Sequence, residues 1–260
     1  MIKALFLDID GTLVSFNTHR IPTTTITALE EAKARGVLIF IATGRPLAII
    51  NNLHDIEHLI DGYITANGAH CFIGTEDVLC MPIPAGDVER MIAFSDKLGF
   101  SCIVVSKSDI MVHNADELFD SIFRKMLNVT NIKDDVPAPD FLEQEILQLT
   151  PLITLEQEAA LLPQLSNCMS TRWYPAFTDI TLTGIDKAAG IDAFVAHQGL
   201  QLSETLAIGD GGNDIAMLRR AGIGVAMGNA SAEVQQVADY VTAGVDEDGV
   251  RKALEKFGVI

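Results

Sequence analysis

Apolar residues at both ends of the chain fall in short continuous runs rather than in alternation. Residues 4–9 (ALFLDI) run into Asp10 and Gly11, which predicts a buried strand followed by a tight turn. Pro22 and the threonines after it open an amphipathic helix through Leu29 and Ala32, which Gly36 stops. Residues 37–42 (VLIFIA) predict a second strand, ending at Thr43-Gly44-Arg45-Pro46. Two strands apolar on both faces and joined by a helix make a βαβ unit with a parallel sheet. The far end repeats this grammar. A strand at 206–208 ends in Gly209-Asp210-Gly211-Gly212-Asn213-Asp214, and a helix follows through Met217 and Leu218. Strands at 223–227 and 239–242 then alternate with a helix near 230–237 and a last helix to Phe257. The two ends, residues 1–81 and 185–260, are predicted to be halves of one α/β domain with a doubly wound parallel sheet.

The middle, residues 82–184, has a different pattern. Helical stretches at 87–98 and 117–127 alternate with strand pairs. Residues 102–106 and 110–113 predict a hairpin across Lys107-Ser108-Asp109, and residues 172–174 and 177–183 flank Pro175 in the same way. Hairpins with helices to one side predict an α+β domain inserted in the α/β one. Residues 133–139, rich in charge and proline, predict a loop within it.

Composition narrows the partners. A formal charge of −17 over 260 residues argues against nucleic acid and against anionic membranes, both of which call for clustered Lys and Arg. An acidic protein that handles phosphate must make its site locally positive, with a metal ion or a few placed donors. The four cysteines lack metal spacing and are expected as reduced core residues of a cytoplasmic protein. No apolar run approaches the roughly 20 residues of a membrane span. No obligate protein partner is implied.

In a parallel sheet, ligands gather at the carboxyl ends of the strands. The predicted strands place Asp8, Asp10, Thr43, Asp210 and Asp214 there. Four carboxylates at one edge repel unless a cation sits among them, and hard oxygen donors without His or Cys favour Mg²⁺. A carboxylate bound to that ion stays ionised and can attack phosphorus, a role that falls to Asp8. Asp10 could protonate the leaving oxygen and then activate water. Thr43 offers a hydroxyl and Gly44 a backbone N–H to the phosphate, and Lys187 is the candidate cation.

Asp8-Ile9-Asp10-Gly11-Thr12 resembles the D-x-D-G-T signature of the haloacid dehalogenase superfamily. Thr43, Lys187 and the run Gly209 to Asp214 match its other three motifs in the same order. The G-D-G-x-N-D form and Ala42-Thr43-Gly44-Arg45 are similar to the Cof-type branch, subclass IIB, which consists largely of sugar phosphatases. The resemblance implies Asp8 as nucleophile and Asp10 as acid/base. It implies Mg²⁺ held by Asp8, Asp210 and the carbonyl of Asp10, with Asp214 in or beside that shell and Asn213 orienting it near the phosphate. Thr43, Gly44 and Lys187 would hold the phosphate. About 140 residues separate Thr43 from Lys187, which resembles members whose α+β cap of the C2 type follows the second motif. Such a cap implies small phosphorylated metabolites as substrates, hexose and pentose phosphates foremost.

Four further residues stay open between substrate contact and a structural role. Arg45 touches substrate or pairs with an acid; Asn67 faces the leaving group or only makes a turn with Gly68. Arg172 and Asp179, beside Trp173 and Tyr174, grip a sugar or only brace the inserted domain. Two other activities share the same chemistry: a phosphotransferase or phosphomutase that delivers the group to a sugar, and a sensor that binds sugar phosphates without turnover.

Overall fold

The computed structural model describes residues 1–107, 109–127, 129, 131–134 and 143–260. Most of the loop expected at 133–139, the Ser108 turn and the Trp173 side chain lie outside the described residues. The chain forms two compact units: residues 1–44, 50–79 and 186–260 make one, and residues 45–49 and 80–185 make the other.

The first unit is built on the strands β1 (Ala4–Leu7), β2 (Leu38–Ala42), β3 (Gly62–Thr65), β4 (His70–Ile73) and β5 (Glu76–Cys80), of which Cys80 falls in the second unit. It is completed by β11 (Thr205–Gly209), β12 (Ile223–Ala226) and β13 (Tyr240–Val241). Their order across the sheet is β13-β12-β11-β1-β2-β3-β4-β5, parallel from β13 to β3, with β4 antiparallel to β3. The continuous apolar runs have a direct cause, since the two-residue strand period sends alternate side chains into different cores. Leu5, Leu7, Ile39, Ile41, Leu206 and Ile208 meet Leu29 of the helix Thr23–Ala34 and Leu254 of Gly249–Lys256. Ala4, Phe6, Phe40 and Ala207 meet Phe194 of the helix Lys187–His197 and Met217 of Ile215–Arg220. Helices thus cover both faces, as in the expected doubly wound sheet. Phe40 stacks on Phe6 and on Phe194, with ring centroids 5.1 and 4.3 Å apart.

The chain leaves β1 for β2 on one side and returns to β11 on the other. That reversal puts the switch point of the sheet, where crevices form in open α/β sheets, between β1 and β11.

The second unit is α+β. Its sheet has the order β7-β6-β8-β10-β9 and is antiparallel throughout, from β6 (Cys102–Ser106), β7 (Ile110–His113), β8 (Ile146–Pro151), β9 (Cys168–Tyr174) and β10 (Phe177–Leu182). Val104, Leu149 and Ile180 pack against Val88 and Met91 of the helix Ala85–Leu98 and Leu161 of Leu155–Leu161. Ile103, Val105 and Phe177 lie in the core of the other face with Phe119 and Phe123. The segment predicted as one helix over 117–127 is a single turn at Glu117–Phe119 that widens into a π-helical stretch at Asp120–Met126. Strand β8 lies outside the strands expected from the sequence, although Leu147-Gln148-Leu149-Thr150 alternates; its polar positions Gln148 and Thr150 are buried like their apolar neighbours. No described helix is long and apolar enough to cross a membrane. Of the four cysteines, Cys71 and Cys102 are buried and Cys80 and Cys168 half-buried.

Candidate active site

The site forms where β1 and β11 end. Leu7 pairs with Ile208, and the Asp8 amide donates to the Ile208 carbonyl at 3.1 Å, so Asp8 and Asp210 leave neighbouring strands side by side. Asp186 caps the helix Lys187–His197 by accepting from the Ala189 amide at 3.0 Å, which makes Lys187 its first residue. The Lys187 ammonium donates to Asp8 Oδ1 at 2.6 Å and to Asp214 Oδ1 at 2.5 Å, and its side chain is 0% exposed. Asp214 Oδ2 accepts from the amides of Asp210 and Gly211 at 2.9 and 2.8 Å, which closes the turn after β11.

Asp8, Asp210 and Asp214 each offer an oxygen within 4.8 Å of the others. Three carboxylates face one ammonium, so the group carries uncompensated negative charge in a buried place. Burial, followed by the charge of Asp214, raises the Asp8 carboxyl well above its ordinary range, and the opposing pull of Lys187 does not offset this. Asp210 is pushed up to about 7, first by burial and then by Asp214. Burial disfavours the charge on Lys187, but Asp214 and Asp8 outweigh it and raise its pKa. A divalent cation with hard oxygen ligands fits this donor set, because it supplies the missing charge and the set contains no His or Cys. Asp10 is half-buried and bridges to Val14; its carboxylate is not one of the three gathered oxygens.

The phosphate-side candidates gather at the same edge. The Thr43 amide donates to the Ile64 carbonyl at 2.8 Å, and the Thr43 carbonyl accepts from the Asn67 amide at 3.1 Å. Asn213 Nδ2 donates to Asn67 Oδ1 at 3.1 Å, and a side chain at Gly44 would touch both amides. Asn67 and Gly68 do make the turn of a hairpin, β3 to β4, and all three residues from Ala66 to Gly68 take positive φ. At Gly68, with φ of 101°, a Cβ would lie 2.0 Å from the Asp186 carbonyl oxygen. Glycine there lets the hairpin pass against the start of the lysine helix.

Three candidates lie in the second unit. Arg45 Nη1 donates to the Ile49 carbonyl at 3.2 Å. The Arg172 guanidinium bonds to Glu158, at 2.6 Å, and to the carbonyls of Ile153 and Pro175 at 3.0 and 2.8 Å. Asp179 is buried and accepts from Thr150 and Gln148.

Two residues beside the carboxylates were not given roles from the sequence. Thr12 Oγ1 donates to Asp210 Oδ1 at 2.8 Å, and its position inside D-x-D-G-T was the available signal. Asn229 Nδ2 donates to the Gly11 carbonyl at 2.9 Å and to Asp210 Oδ2 at 3.3 Å. Its one signal is its place in the loop after β12. Gly11 takes φ of 86°, and a Cβ there would lie 2.2 Å from Asp210 Oδ2. Gly11→Ala is therefore expected to cost about 2 kcal/mol or more, from the left-handed backbone and the displaced carboxylate, as read by urea unfolding.

Residues 5–254 match the model of the haloacid dehalogenase-like hydrolases. The solved structure of the subclass IIB sugar phosphatase BT4131 is 53% identical and superposes with a TM-score of 0.94, over 99% of this chain and 100% of that one. YkrA of Bacillus subtilis strain 168, a phosphatase by name, is 30% identical over 99% of this chain and 98% of its own length. YcsE of the same strain, named as a 5-amino-6-(5-phospho-D-ribitylamino)uracil phosphatase, is 28% identical over 97% of this chain and 94% of its own. A family model matched over almost the whole length, on a doubly wound sheet with its acids at the switch point, places this chain among the haloacid dehalogenase-like hydrolases as a phosphatase.

Proposed function

We propose that the protein is a Mg²⁺-dependent phosphatase of small phosphorylated metabolites, sugar phosphates foremost, acting through an aspartyl phosphate on Asp8. The observation that carries this reading is the cluster of Asp8, Asp210 and Asp214, with Asp8 and Asp214 buried, Asp210 half-buried and Lys187 as its one ammonium among the described residues. Asp8, Asp210 and the carbonyl of Asp10 would hold the ion, which supplies positive charge against the phosphoryl oxygens. Lys187 keeps one Asp8 oxygen oriented, and the other attacks phosphorus. The Asp8–phosphorus bond forms as the bond to the leaving oxygen breaks, and Asp10 gives that oxygen its proton. Asp10, now a carboxylate, takes a proton from water as the water oxygen bonds to phosphorus. The Asp8–phosphorus bond then breaks, releasing phosphate and restoring both acids. Thr43, Gly44 and Asn213 donate to the phosphoryl oxygens, and residues 82–184 serve as the cap that selects the leaving group.

The 53% identity to a sugar phosphatase favours sugar phosphates over the ribitylaminouracil ester named for the 28% relative. The experiment is phosphate release from a panel of hexose, pentose and nucleotide phosphates, with Mg²⁺ and with EDTA. Metal-dependent release from sugar esters is expected; release that EDTA leaves intact sinks the metal assignment.

The raised acids also set a pH dependence. Folding lifts Asp210 from 3.8 to about 7 and lifts Asp8 in the same direction. The folded metal-free protein thus holds protons that the unfolded chain releases near pH 4. Stability from these groups is fully present below about pH 4 and is lost as pH rises towards 7. Mg²⁺ displaces those protons, so its stabilising effect grows over the same window. Melting curves at pH 5 and pH 8 are expected to show a larger Mg²⁺-induced rise at pH 8. An equal rise at both would contradict the coupling.

A further inference from the structure

Asp210 is held differently from the two acids beside it. The Lys187 ammonium bonds to Asp8 and Asp214 together. The Asp210 carboxylate accepts from two neutral donors, one on each oxygen. Thr12 Oγ1 meets Oδ1 at 2.8 Å, and Asn229 Nδ2 meets Oδ2 at 3.3 Å. An ionised carboxylate has about four lone-pair positions, so a donor on each oxygen leaves one more on each. The two donors thereby set how Asp210 faces the oxygens of Asp8 and Asp214, which lie within 4.8 Å.

Thr12 belongs to the same loop as Asp10, whereas Asn229 comes from the loop after β12. Its amide joins that loop to those following three other strands. Nδ2 donates to the Gly11 carbonyl, after β1, at 2.9 Å, and to Asp210, after β11. Oδ1 accepts from the Val245 amide, after β13, at 2.9 Å. These partners fix the amide, because the Val245 N–H can only donate and the Gly11 carbonyl can only accept. Both Nδ2 hydrogens are thus committed, one of them to Asp210. Asn229 is exposed and adds little to the core, so its contribution lies in these bonds.

We infer that Asn229 is a positioning residue: by tying Asp210 to the loops of Gly11 and Val245, it fixes how this carboxylate is presented to a divalent cation. This rests on the Mg²⁺-dependent reading above and deepens it, because it assigns part of the metal affinity to a residue that is not itself a ligand. Groups that orient metal-binding carboxylates from outside typically govern affinity by about 10–100-fold. Asn229 falls at the lower end of that range, since Thr12 still holds the other oxygen when it is removed.

The test follows the melting temperature of wild type, Asn229→Ala, Thr12→Val and Asn17→Ala against MgCl₂ concentration, without substrate. A cation that binds only the folded chain raises the melting temperature according to its concentration relative to Kd, so weaker binding moves the whole curve along the concentration axis. Asn17 is the control: its Nδ2 donates to Asp246 Oδ2 at 2.7 Å and anchors the loop of Val245 without bonding to Asp210. Asn229→Ala is expected to move the curve about tenfold towards higher MgCl₂, and Thr12→Val in the same direction. Asn17→Ala should leave the curve where it is, measured from its own metal-free melting point. Release from p-nitrophenyl phosphate by Asn229→Ala should return to within about threefold of wild type when Mg²⁺ is raised to match. An unmoved curve for Asn229→Ala, or an equal displacement in Asn17→Ala, overturns the inference and leaves Asn229 as a loop anchor. A wild-type melting temperature that does not respond to MgCl₂ removes the metal reading itself, and this inference with it.

Discussion

Asp8→Asn is expected to lower phosphate release by about 10⁴-fold or more while the fold persists. The amide is nearly isosteric with the carboxylate but is a poor nucleophile, so the loss falls on the first chemical step. The fold should not suffer, because Asp8 is one of three clustered acids, two of them buried, and Lys187 is bonded to Asp8 and Asp214 together. Its carboxyl is raised by burial and by Asp214, which means that its charge opposes folding when no cation is bound. Without metal, the Asn variant should melt at the wild-type temperature or above it. Since the remaining acids still gather around Lys187, the variant should also bind a phosphate ester without turning it over. Near-normal release from Asp8→Asn would overturn the nucleophile assignment, and a markedly lower melting point in EDTA would contradict the charge balance.

Lys187→Met should fail in the opposite manner, with loss of both activity and stability. Its ammonium is wholly buried and joins Asp8 to Asp214. Removing one partner of a buried ion pair leaves charge without compensation, at a cost of about 3–5 kcal/mol. Here two carboxylates lose their donor together. Activity should fall by about 10²–10³-fold, because the lysine both orients Asp8 and opposes charge on the transferring group. Added Mg²⁺ should recover part of the stability, since a cation can neutralise the same acids, but little of the activity. Urea unfolding with and without Mg²⁺ separates the two effects. A variant as stable as wild type in EDTA would show that Lys187 does not balance the acids.

The site was legible in the sequence where local pattern reports position. A continuous apolar run that stops at an acid predicts a strand end, and strand ends converge on one edge of a parallel sheet. That reasoning placed Asp8 after β1, Thr43 after β2 and Asp210 after β11. It could not assign Thr12 or Asn229, which meet Asp210 from positions 198 and 19 residues away. Nor could it show that Arg172 bonds to Glu158 and to the Ile153 carbonyl, 14 and 19 positions away. The burial of the polar positions of β8, Gln148 and Thr150, was equally out of its reach, since their partner Asp179 lies 31 and 29 positions away.

The sequence by itself determined the fold class, the order of the motifs and the edge at which the acids gather, since strand period and turn chemistry act over a few residues. Tertiary structure alone decided how charge is shared there. Lys187 reaches Asp8 across 179 positions and Asp214 across 27, and burial sets how strongly each carboxyl resists ionisation. The orientation of the Asn229 amide, set by Gly11 from 218 positions away, is of the same kind. Hydrogen bonding and desolvation depend on distance in space, which no local pattern records.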